Sequence, residues 1–345
     1  MKESTYKYIV RTYCATYNQA QYIQQTMNGF VLQQTTFPVV SIVVDDASTD
    51  ETPAIIRQYM KEQFDMNEDG AAYEKDTDYA HIIYARHKVN SQCFFAVLLL
   101  KENHYSQHKS RAPYVTEWTD TAKYLAFCEG DDFWTDPQKL QKQVDFLETH
   151  PDYNIVCHNW NMWREGRFIP SPVHQLYTEP FSFTFETLPW VWITKTLTTM
   201  YRREAINQEV LNQFKYARDV HMVYYALKGS QGYYMPDVMA TYRITDTGVW
   251  SKVDINKKNF TTYALYKELY QHEPNKAVRK RYMNATLAYY NGLAFGKGTW
   301  WHFRPNAKLY FEALRHISDA KDLVFCLGGL IPTSIVKWVM KTFKV

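Results

Sequence analysis

Residues 38–63 read PVVSIVVDDASTDETPAIIRQYMKEQ and place a strand, a polar turn and a helix in direct succession. The run VVSIVV is rich in β-branched residues, as expected of a strand that is covered on both faces. Asp50 and Pro53 are typical of a helix start. A buried strand that leads straight into a helix is the repeating unit of α/β proteins, so this stretch predicts an α/β sheet.

The same succession recurs on both sides of that stretch. Residues 7–13 alternate like a strand, and Ile23, Met27, Phe30 and Val31 then share one face of a helix. Further strands are predicted at 81–86, 124–128 and 154–160, with a helix at about 137–149. We therefore expect an open, mainly parallel sheet with helices on both faces in residues 1–255, and a helical C-terminal region in residues 256–345.

Bulk composition excludes some classes of protein. The 345 residues carry 39 basic and 36 acidic side chains, and a net charge of +3 gives no indication of nucleic-acid binding. The five cysteines are scattered without metal-ligand spacing, which favours reduced thiols in a cytoplasmic protein. The N-terminus lacks the apolar run of a signal peptide, so none is expected.

The C-terminal segment 323–345, LVFCLGGLIPTSIVKWVMKTFKV, is apolar at first and then basic. It is too short and too interrupted by Gly and Pro to span a bilayer. Lysines beside Trp338 and Phe343 suit a helix that lies on an anionic membrane surface. The alternative is a terminal helix that closes its own core. The first interpretation predicts a peripheral protein on the inner face of the plasma membrane.

Three polar clusters each follow a predicted strand: TYN at 16–18, DDAS at 45–48 and EGDD at 129–132. In open α/β sheets, ligands bind outside the carboxyl ends of the strands. The clusters are therefore expected to meet at one edge of the sheet. No GxGxxG or GxxxxGK motif is present in the sequence, which argues against dinucleotide oxidoreductases and P-loop enzymes.

Adjacent carboxylates in two of these clusters need an explanation. Asp131 and Asp132 could form a turn, but Asp136 already offers a cap for the helix that follows. Acids held close together favour a bound cation, and few hard oxygen ligands suit Mg²⁺ or Mn²⁺ shared with phosphates. Asp45 and Asp46 could begin the next helix, or Asp46 could accept hydrogen bonds from a base or ribose.

Three stretches together resemble family 2 glycosyltransferases of the GT-A fold, closest to bacterial members that build surface polysaccharides. They are CATYNQAQYIQQTMNGFVLQQ (14–34), VVDDASTDET (43–52) and YLAFCEGDDFWTDPQKLQKQVDFLE (124–148). The resemblance continues more thinly through TKTLTTMYRRE (194–204) and residues 217–251. It implies inverting, metal-dependent sugar transfer from a nucleotide-diphosphate donor, with UDP as the default, to a hydroxyl of a glycan or lipid-linked acceptor.

The resemblance also implies residue roles around the donor. The nucleotide pocket would be lined by Thr16, Tyr17, Asn18 and Asp46, with Asp131 on the ribose or sugar and Asp132 on the metal. Arg86 and Asn90 would contact the donor. Trp134 would stack on a sugar face or else pack on the helix that it precedes.

Further roles fall in the thinner part of the resemblance. Asp219 matches the position of the catalytic base, although an isolated Asp at a helix start is often an N-cap. We expect His221 to lie on the surface. Thr245 stands where similar sequences carry a metal- or pyrophosphate-binding His, and Arg243 would instead stabilise the departing diphosphate. The loop 246–251, with Trp250 and Ser251, would cover the donor as a mobile lid.

The expected enzyme is thus a hexosyl- or N-acetylhexosaminyltransferase. Two alternatives stay open at this point. A nucleotidyltransferase also combines acids and a metal on an α/β sheet, but CATYNQAQ lacks the expected Gly-rich basic loop. A non-catalytic module would keep the nucleotide-sugar pocket without the chemistry.

Overall fold

The computed structural model describes residues 6–67, 72–189, 191–215, 218–245, 253–295, 303–317 and 320–328. The chain divides into two compact units. We call Met1–Asn207 with Val223–Ile244 the sheet unit, and Gln208–Met222 with Thr245–Val345 the helical unit. The helical unit therefore includes residues 208–222, which lie before the boundary predicted at residue 255.

The described part of the sheet unit contains one sheet of thirteen strands. The strands are β1 (Tyr8–Thr16), β2 (Val39–Asp45), β3 (Phe64–Asp65), β4 (Tyr73–Asp76), β5 (Ala80–His87), β6 (Cys93–Leu100), β7 (Ala122–Phe127), β8 (Phe133–Trp134), β9 (Tyr153–Arg164), β10 (Arg167–Pro170), β11 (Phe181–Phe183), β12 (Met200–Arg202) and β13 (Gln231–Arg243). Their order is β11-β13-β9-β12-β7-β1-β2-β6-β5-β3, and β10, β4 and β8 pair with β9, β5 and β13 respectively.

Parallel pairing forms the centre of the sheet, where β7, β1, β2 and β6 are neighbours. The edges are mixed, because β5 runs antiparallel to β6 and β12 runs antiparallel to β7 and β9. The open α/β sheet expected from the sequence is confirmed, but it is mixed rather than mainly parallel, since only β1–β2, β1–β7, β2–β6 and β9–β13 pair in parallel among the described strands. Strand β6, with the sequence CFFAVLLL, was not predicted, and it follows β5 with no helix between them.

Strand β2 shows why this sequence folds as a sheet with two covered faces. All seven of its residues are buried. Val39 and Val43 belong to one hydrophobic core, and Val40, Ile42 and Val44 belong to another. Successive side chains of a strand point to opposite faces, so a run of apolar residues is stable only where both faces are covered.

Helices supply that cover. The sheet unit holds α1 (Ile23–Val31), α2 (Thr52–Gln63), α3 (Thr116–Thr119) and α4 (Lys139–Thr149). Side chains of α1, α2 and α4 enter the first core, and Trp118 of α3 enters the second. Ile23, Met27 and Phe30 of α1 are buried on the face predicted from their spacing, while Val31 is half-buried.

The described helices with residues in the helical unit are α5 (Gln208–Leu211), α6 (Asp219–Leu227), α7 (Ile255–His272), α8 (Lys276–Phe295), α9 (Phe303–Leu314) and α10 (Ala320–Gly328). Helix α6 continues into the sheet unit from Val223. A core that includes Met283, Tyr290, Tyr310 and Cys326 joins α8, α9 and α10. The helical character predicted beyond residue 255 is confirmed for these residues.

The C-terminal segment is described only as far as residue 328. Within α10, Leu323, Val324 and Leu327 are exposed and Cys326 is buried. Lys337, Trp338, Lys341 and Lys344, on which the predicted membrane contact depends, lie outside the described residues. Among the helices that the structure describes, none has the length and apolar character needed to cross a bilayer. All five cysteines are free and buried.

Candidate active site

The carboxyl ends of three parallel strands bring the three polar clusters together. Thr16 at the end of β1 pairs with Asp45 at the end of β2. The Asp46 N–H donates to the carbonyl oxygen of Thr16 at 2.9 Å, and the Gly130 N–H donates to that of Ala15 at 3.0 Å. The clusters TYN, DDAS and EGDD therefore lie at one edge of the sheet, as their positions after strands predicted.

The first two clusters interlock through backbone and side-chain hydrogen bonds. Asn18 adopts a left-handed conformation with φ of 52°, which Asn tolerates better than most residues. Its N–H donates to Ser48 Oγ, and its Oδ1 accepts from the Thr49 N–H, both at 2.8 Å. Asp45 accepts the Ser48 N–H at 3.0 Å. Asn18 and Asp45 thus shape the loops and leave Tyr17, 45% exposed, at their surface.

Asp46 is buried and fixes the segment 104–111, which follows β6. Its Oδ1 accepts the His104 N–H and its Oδ2 accepts the Tyr105 N–H, both at 2.9 Å. The Arg111 guanidinium lies 3.6 Å from Oδ2. Both carboxylate oxygens of Asp46 therefore already contact the 104–111 segment. Asp46 holds that segment in place at this edge of the sheet.

The EGDD cluster contains three acidic residues and Gly130, which cannot be replaced by a larger residue without displacing its neighbours. A Cβ on Gly130 would lie 2.3 Å from Gln19 Oε1 and 2.7 Å from Thr16 Cβ. The Thr26 hydroxyl of α1 lies 2.9 Å from the Gly130 carbonyl oxygen and 2.6 Å from that of Asp132. The backbone that carries the acids is therefore clamped between β1 and α1.

Asp132 is the most buried of these acids, with 2% of its surface exposed. Its Oδ1 accepts the Arg243 N–H at 2.7 Å. Burial, and then the neighbouring charges of Asp131 and Glu129, raise the pKa of Asp132 well above its ordinary value. Burial also raises the pKa of Asp131, against the opposing effect of Arg243. The cluster is thus a site where negative charge is costly without a compensating cation.

Two cations face the acids from later parts of the chain. The Arg243 guanidinium donates to the Asp131 carbonyl oxygen and to Gln25 Oε1, and its carbon lies 4.8 Å from the centre of the Tyr22 ring. The positive charge of Lys195 lowers the pKa of Asp132, in opposition to burial. Its ammonium lies 4.5 Å from the centre of the Tyr242 ring.

Three residues of this cluster were not predicted from the sequence. Glu129 accepts the Thr196 hydroxyl at 2.9 Å, and its charge acts on both Asp132 and Tyr242. Burial, followed by the charges of the three acids, raises the pKa of Tyr242 to about 12. Glu129 could have been found within EGDD itself. Lys195 and Tyr242 carry no motif, and Tyr242 reaches the site only because β13 pairs with β8 and β9.

Arg86 and Asn90 do not join the strand-end cluster. Strand β5 runs antiparallel to β6, so Arg86 pairs with Phe94 near the beginning of β6. Asn90 precedes β6, and its amide donates to the carbonyl oxygen of Gln33 at 3.0 Å. Both residues lie at the edge formed by the amino ends of the parallel strands, opposite the acids. The resemblance implied that both residues contact the donor, but the structure places them away from the acidic cluster.

Trp134 is part of the core and offers no face to a sugar. It is 2% exposed, and its Nε1–H donates to the Leu197 carbonyl oxygen at 2.9 Å. Phe30 packs against its ring edge to face with centroids 4.9 Å apart, and Lys139 Nζ lies 4.0 Å from the ring centre. The packing alternative for Trp134 is therefore correct and the stacking alternative is wrong.

The remaining predicted residues belong to the helical unit. Asp219 is the first residue of α6, and its Oδ1 accepts the Val220 N–H at 2.9 Å. His221 is buried rather than on the surface, contacts Phe214, and accepts the Arg218 N–H at Nδ1. Burial lowers the pKa of His221 to about 4. Thr245 is buried, and the expected lid with Trp250 and Ser251 lies outside the described residues.

Comparison with known families identifies the fold and the family. The model of the family described as "Glycosyl transferase family 2" matches residues 14–210, which include all three strand-end clusters. The chain belongs to this family. An uncharacterized protein of Mycobacterium tuberculosis is 29% identical over 262 residues, which are 71% of this chain and 61% of the relative. The chain thus spans about three fifths of the length of its mycobacterial relatives.

A second relative of this chain is the putative teichuronic acid biosynthesis glycosyltransferase TuaG of Bacillus subtilis. It is 26% identical over 269 residues, which are 77% of this chain and 90% of TuaG. Among solved structures, TarS 1–349 of S. aureus superposes with a TM-score of 0.57 at 14% identity, and the match covers 90% of this chain and 81% of TarS 1–349. TarS 1–349 has also been solved with UDP and with UDP-GlcNAc. This likeness shows the shared GT-A fold.

The acids fit a divalent cation that is shared with a phosphate-bearing ligand. Among the described residues, no three of His, Cys, Asp and Glu form a complete metal-binding group. Mg²⁺ is commonly held by one or two carboxylates, with substrate phosphates and water completing its shell. Asp131 and Asp132 can supply such an incomplete set. Burial raises the pKa of both residues, and the charges of Asp131 and Glu129 also raise that of Asp132, so a cation would favour their ionised forms.

Proposed function

We propose that this family 2 glycosyltransferase transfers a hexosyl or N-acetylhexosaminyl group from a nucleotide-diphosphate donor, UDP in the first instance, to an acceptor hydroxyl with inversion. The acceptor would be a glycan or lipid-linked intermediate of surface polysaccharide synthesis. The names of TuaG and the UDP complexes of TarS support this choice of donor and process. Family membership favours sugar transfer over nucleotidyl transfer.

One observation carries the proposal. Asp131, Asp132 and Glu129 lie with Arg243 and Lys195 at the carboxyl ends of the central strands. Buried carboxylates destabilise a fold unless a charge partner compensates them. A divalent cation together with a donor diphosphate would bring that compensation, and the two protein cations would face the added phosphate charge. A purely structural turn needs no such cluster.

The donor would be held in two parts. The exposed ring of Tyr17 would lie against the base, and Asn18, Thr16 and the segment organised by Asp46 would complete the nucleotide pocket. Asp131 would accept a hydroxyl of the ribose or sugar, and Asp132 would hold the metal. A bound divalent metal supplies neutralisation of charge on the leaving diphosphate. Arg243 would add a fixed positive charge, because its guanidinium is already oriented by Asp131 and Gln25.

Asp219 is proposed as the base that removes the proton of the acceptor hydroxyl. The attacking oxygen forms a bond to the anomeric carbon while the bond to the diphosphate oxygen breaks on the opposite face. The departing diphosphate takes the bonding electron pair, and the proton passes to the Asp219 carboxylate. No covalent sugar–enzyme intermediate is required. The assignment of Asp219 rests on its position in the sequence motif ARDVHMVYY.

The proposal is tested by calorimetric titration of UDP in the presence of Mn²⁺, followed by GDP and dTDP. Mn²⁺-dependent binding that Asp132→Asn loses supports the site. Absence of binding by all three nucleotides contradicts the donor assignment. A binding module without activity would bind UDP but would not release UDP from a UDP-sugar, so the release assay separates that alternative from the enzyme.

Membrane association is proposed for segment 323–345. Removal of residues from 321 onward is expected to weaken co-sedimentation with anionic vesicles, because the basic and aromatic residues are lost with it. Unchanged vesicle binding by the shortened chain would contradict a membrane-bound tail and favour the alternative in which the segment closes the core.

A further inference from the structure

The helical unit contains a cationic cavity that the transfer reaction does not use. Its volume is about 770 Å³, within the range of small-ligand sites. The cavity is lined by Lys267, Lys308, Phe311, Glu312, Arg315 and His316. These residues come from α7, from α9 and from the two positions that follow α9. Three lining side chains are permanently cationic, against a single carboxylate.

Helix α9 presents these residues because of its spacing. In KLYFEALRH (308–316), Lys308, Phe311 and Arg315 are three and four residues apart and share one face. Tyr310 and Ala313 occupy another face and pack in the core of the helical unit. Helix α9 therefore has one face that packs in the core and another, charged face that lines the cavity.

The only carboxylate among the lining residues is already compensated within the protein. Glu312 accepts hydrogen bonds from the hydroxyls of Tyr263 and Tyr282 and from Lys267 Nζ, the last at 3.0 Å. Burial opposes these contacts, but the tyrosine and lysine hydrogen bonds lower the pKa of Glu312 overall. Lys267 is thereby engaged, and Glu312 is not available to neutralise Lys308 or Arg315.

Lys308 and Arg315 are both exposed, and no carboxylate pairs with either of them among the described residues. Arg279 of α8 adds a further positive charge, since Arg279, Arg315 and Lys267 all act to lower the pKa of His316. Burial is the first cause of that lowered pKa, and Glu312 opposes it. The surroundings of the cavity are thus strongly positive.

We propose that this cavity binds the phosphate group of a ligand, held between Arg315 and Lys308 with Arg279 nearby. A guanidinium donates two parallel hydrogen bonds to phosphate, and an ammonium adds a point charge, which together suit a doubly charged oxyanion. Phe311 is 55% exposed at the same site and offers an apolar contact to whatever carries the phosphate. The net charge of +3 argues against a long polyanion such as nucleic acid.

The phosphate could belong to a soluble molecule or to a lipid headgroup, and two binding assays separate these sources. The first titrates inorganic phosphate into the full chain by calorimetry, with EDTA present so that no metal assists binding at the acidic cluster. The second measures co-sedimentation with phosphatidylglycerol vesicles and with phosphatidylcholine vesicles. The full chain is used in both.

The test variant is the double substitution Lys308→Gln with Arg315→Gln, and the matched control is Lys257→Gln with Lys276→Gln. The control removes the same charge from exposed positions of α7 and α8 that do not line the cavity. Melting temperatures confirm that both variants fold. We expect the test variant to bind at least tenfold more weakly, while the control stays within twofold of the parent chain.

Each outcome decides the matter. Binding of inorganic phosphate that only the test variant loses supports a soluble ligand. Binding of phosphatidylglycerol vesicles alone, again lost only in the test variant, supports a lipid phosphate. Equal weakening in test and control variants would show a diffuse charge effect and overturn the proposal. An unaffected test variant, or no binding of either probe to the parent chain, would overturn it as well.

Discussion

Asp132 can be tested by comparing two substitutions that differ in one hydrogen bond. Asp132→Asn keeps an Oδ1 acceptor for the Arg243 N–H, which lies 2.7 Å away, and removes the negative charge. Asp132→Ala removes both the charge and the acceptor. Without ligand at neutral pH, we expect Asp132→Asn to be the most stable of the three proteins, because it relieves repulsion from Asp131 and Glu129 and leaves no backbone donor unpaired.

The difference in stability between Asp132→Asn and Asp132→Ala follows from the Arg243 N–H group, which would have no acceptor in Asp132→Ala. A buried donor without a partner destabilises a protein by about 1–3 kcal/mol. For a unit of the size of the sheet unit, Met1–Asn207 with Val223–Ile244, each kcal/mol moves the melting temperature by about 2–4 °C. Asp132→Ala should therefore melt roughly 2–12 °C below Asp132→Asn, as measured by differential scanning calorimetry on both proteins in the same buffer.

The pH dependence of wild type and Asp132→Asn supplies an independent check. The pKa of Asp132 is raised in the folded protein, so the unfolded chain loses this proton first as pH increases. Wild type therefore loses stability relative to Asp132→Asn as pH rises from the ordinary Asp pKa to the folded one. The melting temperatures should lie closest below the ordinary Asp pKa of about 3.9 and should separate as pH rises above it.

Ligand binding acts in the opposite direction and stabilises wild type more than Asp132→Asn. At a concentration of Mn²⁺-UDP a hundredfold above its dissociation constant, wild type should gain about 2.7 kcal/mol of stability. Asp132→Asn should bind at least tenfold more weakly and gain correspondingly less. The reasoning is refuted if Asp132→Asn melts as low as Asp132→Ala without ligand. It is refuted equally if Asp132→Asn gains as much stability from Mn²⁺-UDP as wild type does.

Three further substitutions test other parts of the structure. Gly29→Ala should destabilise the protein by about 1–3 kcal/mol, although Ala has the better helix propensity, because its Cβ would lie 2.9 Å from the Trp134 backbone nitrogen. The control is Gln24→Ala at an exposed position of the same helix. Equal urea midpoints for the two variants would contradict the close approach. Asp219→Asn should lower kcat by about 10²–10⁴ with donor affinity within twofold, and a loss below tenfold in kcat would exclude the base role. Lys139→Met should stabilise by on the order of 2 kcal/mol at pH 6, where burial of the Lys139 ammonium is unfavourable, since burial lowers its folded pKa to about 7. That gain should shrink toward pH 10, as neutral Lys139 forms in the folded protein before the unfolded one, and a gain that is constant with pH would contradict the lowered pKa.

The sequence was most informative where local pattern and tertiary burial agree. Strand β2 is apolar throughout because both of its faces are covered, and the ends of β1, β2 and β7 meet because these strands are parallel. The same logic failed one strand further along the chain. Strand β5 returns antiparallel beside β6, so Arg86 and Asn90 lie at the edge opposite the acids. Strand direction depends on the hairpin that joins the two strands, and hydrophobic pattern alone does not determine it.

Burial of aromatic and ionisable side chains was the other source of error. Trp134 and His221 have polar atoms that often reach solvent, yet the first gives its N–H to Leu197 and the second packs on Phe214. Lys195 and Tyr242 belong to the acidic cluster but lie more than sixty residues after it in the sequence. These contacts arise only when β12 and β13 complete the sheet, so no local signal marks them.

Arg243 explains how the adjacent acids are held in place before any ligand arrives. Its N–H binds the Asp132 side chain, while its guanidinium binds the Asp131 carbonyl oxygen, so the end of β13 and the EGDD cluster fix one another from both sides. Thr26 holds the same backbone from α1. Because position is already determined, a metal would compensate the charge of the acids without a rearrangement of the backbone that carries them. In the proposed reaction, the metal and the donor therefore meet charged groups that are already in place, which is the arrangement that electrostatic preorganisation requires.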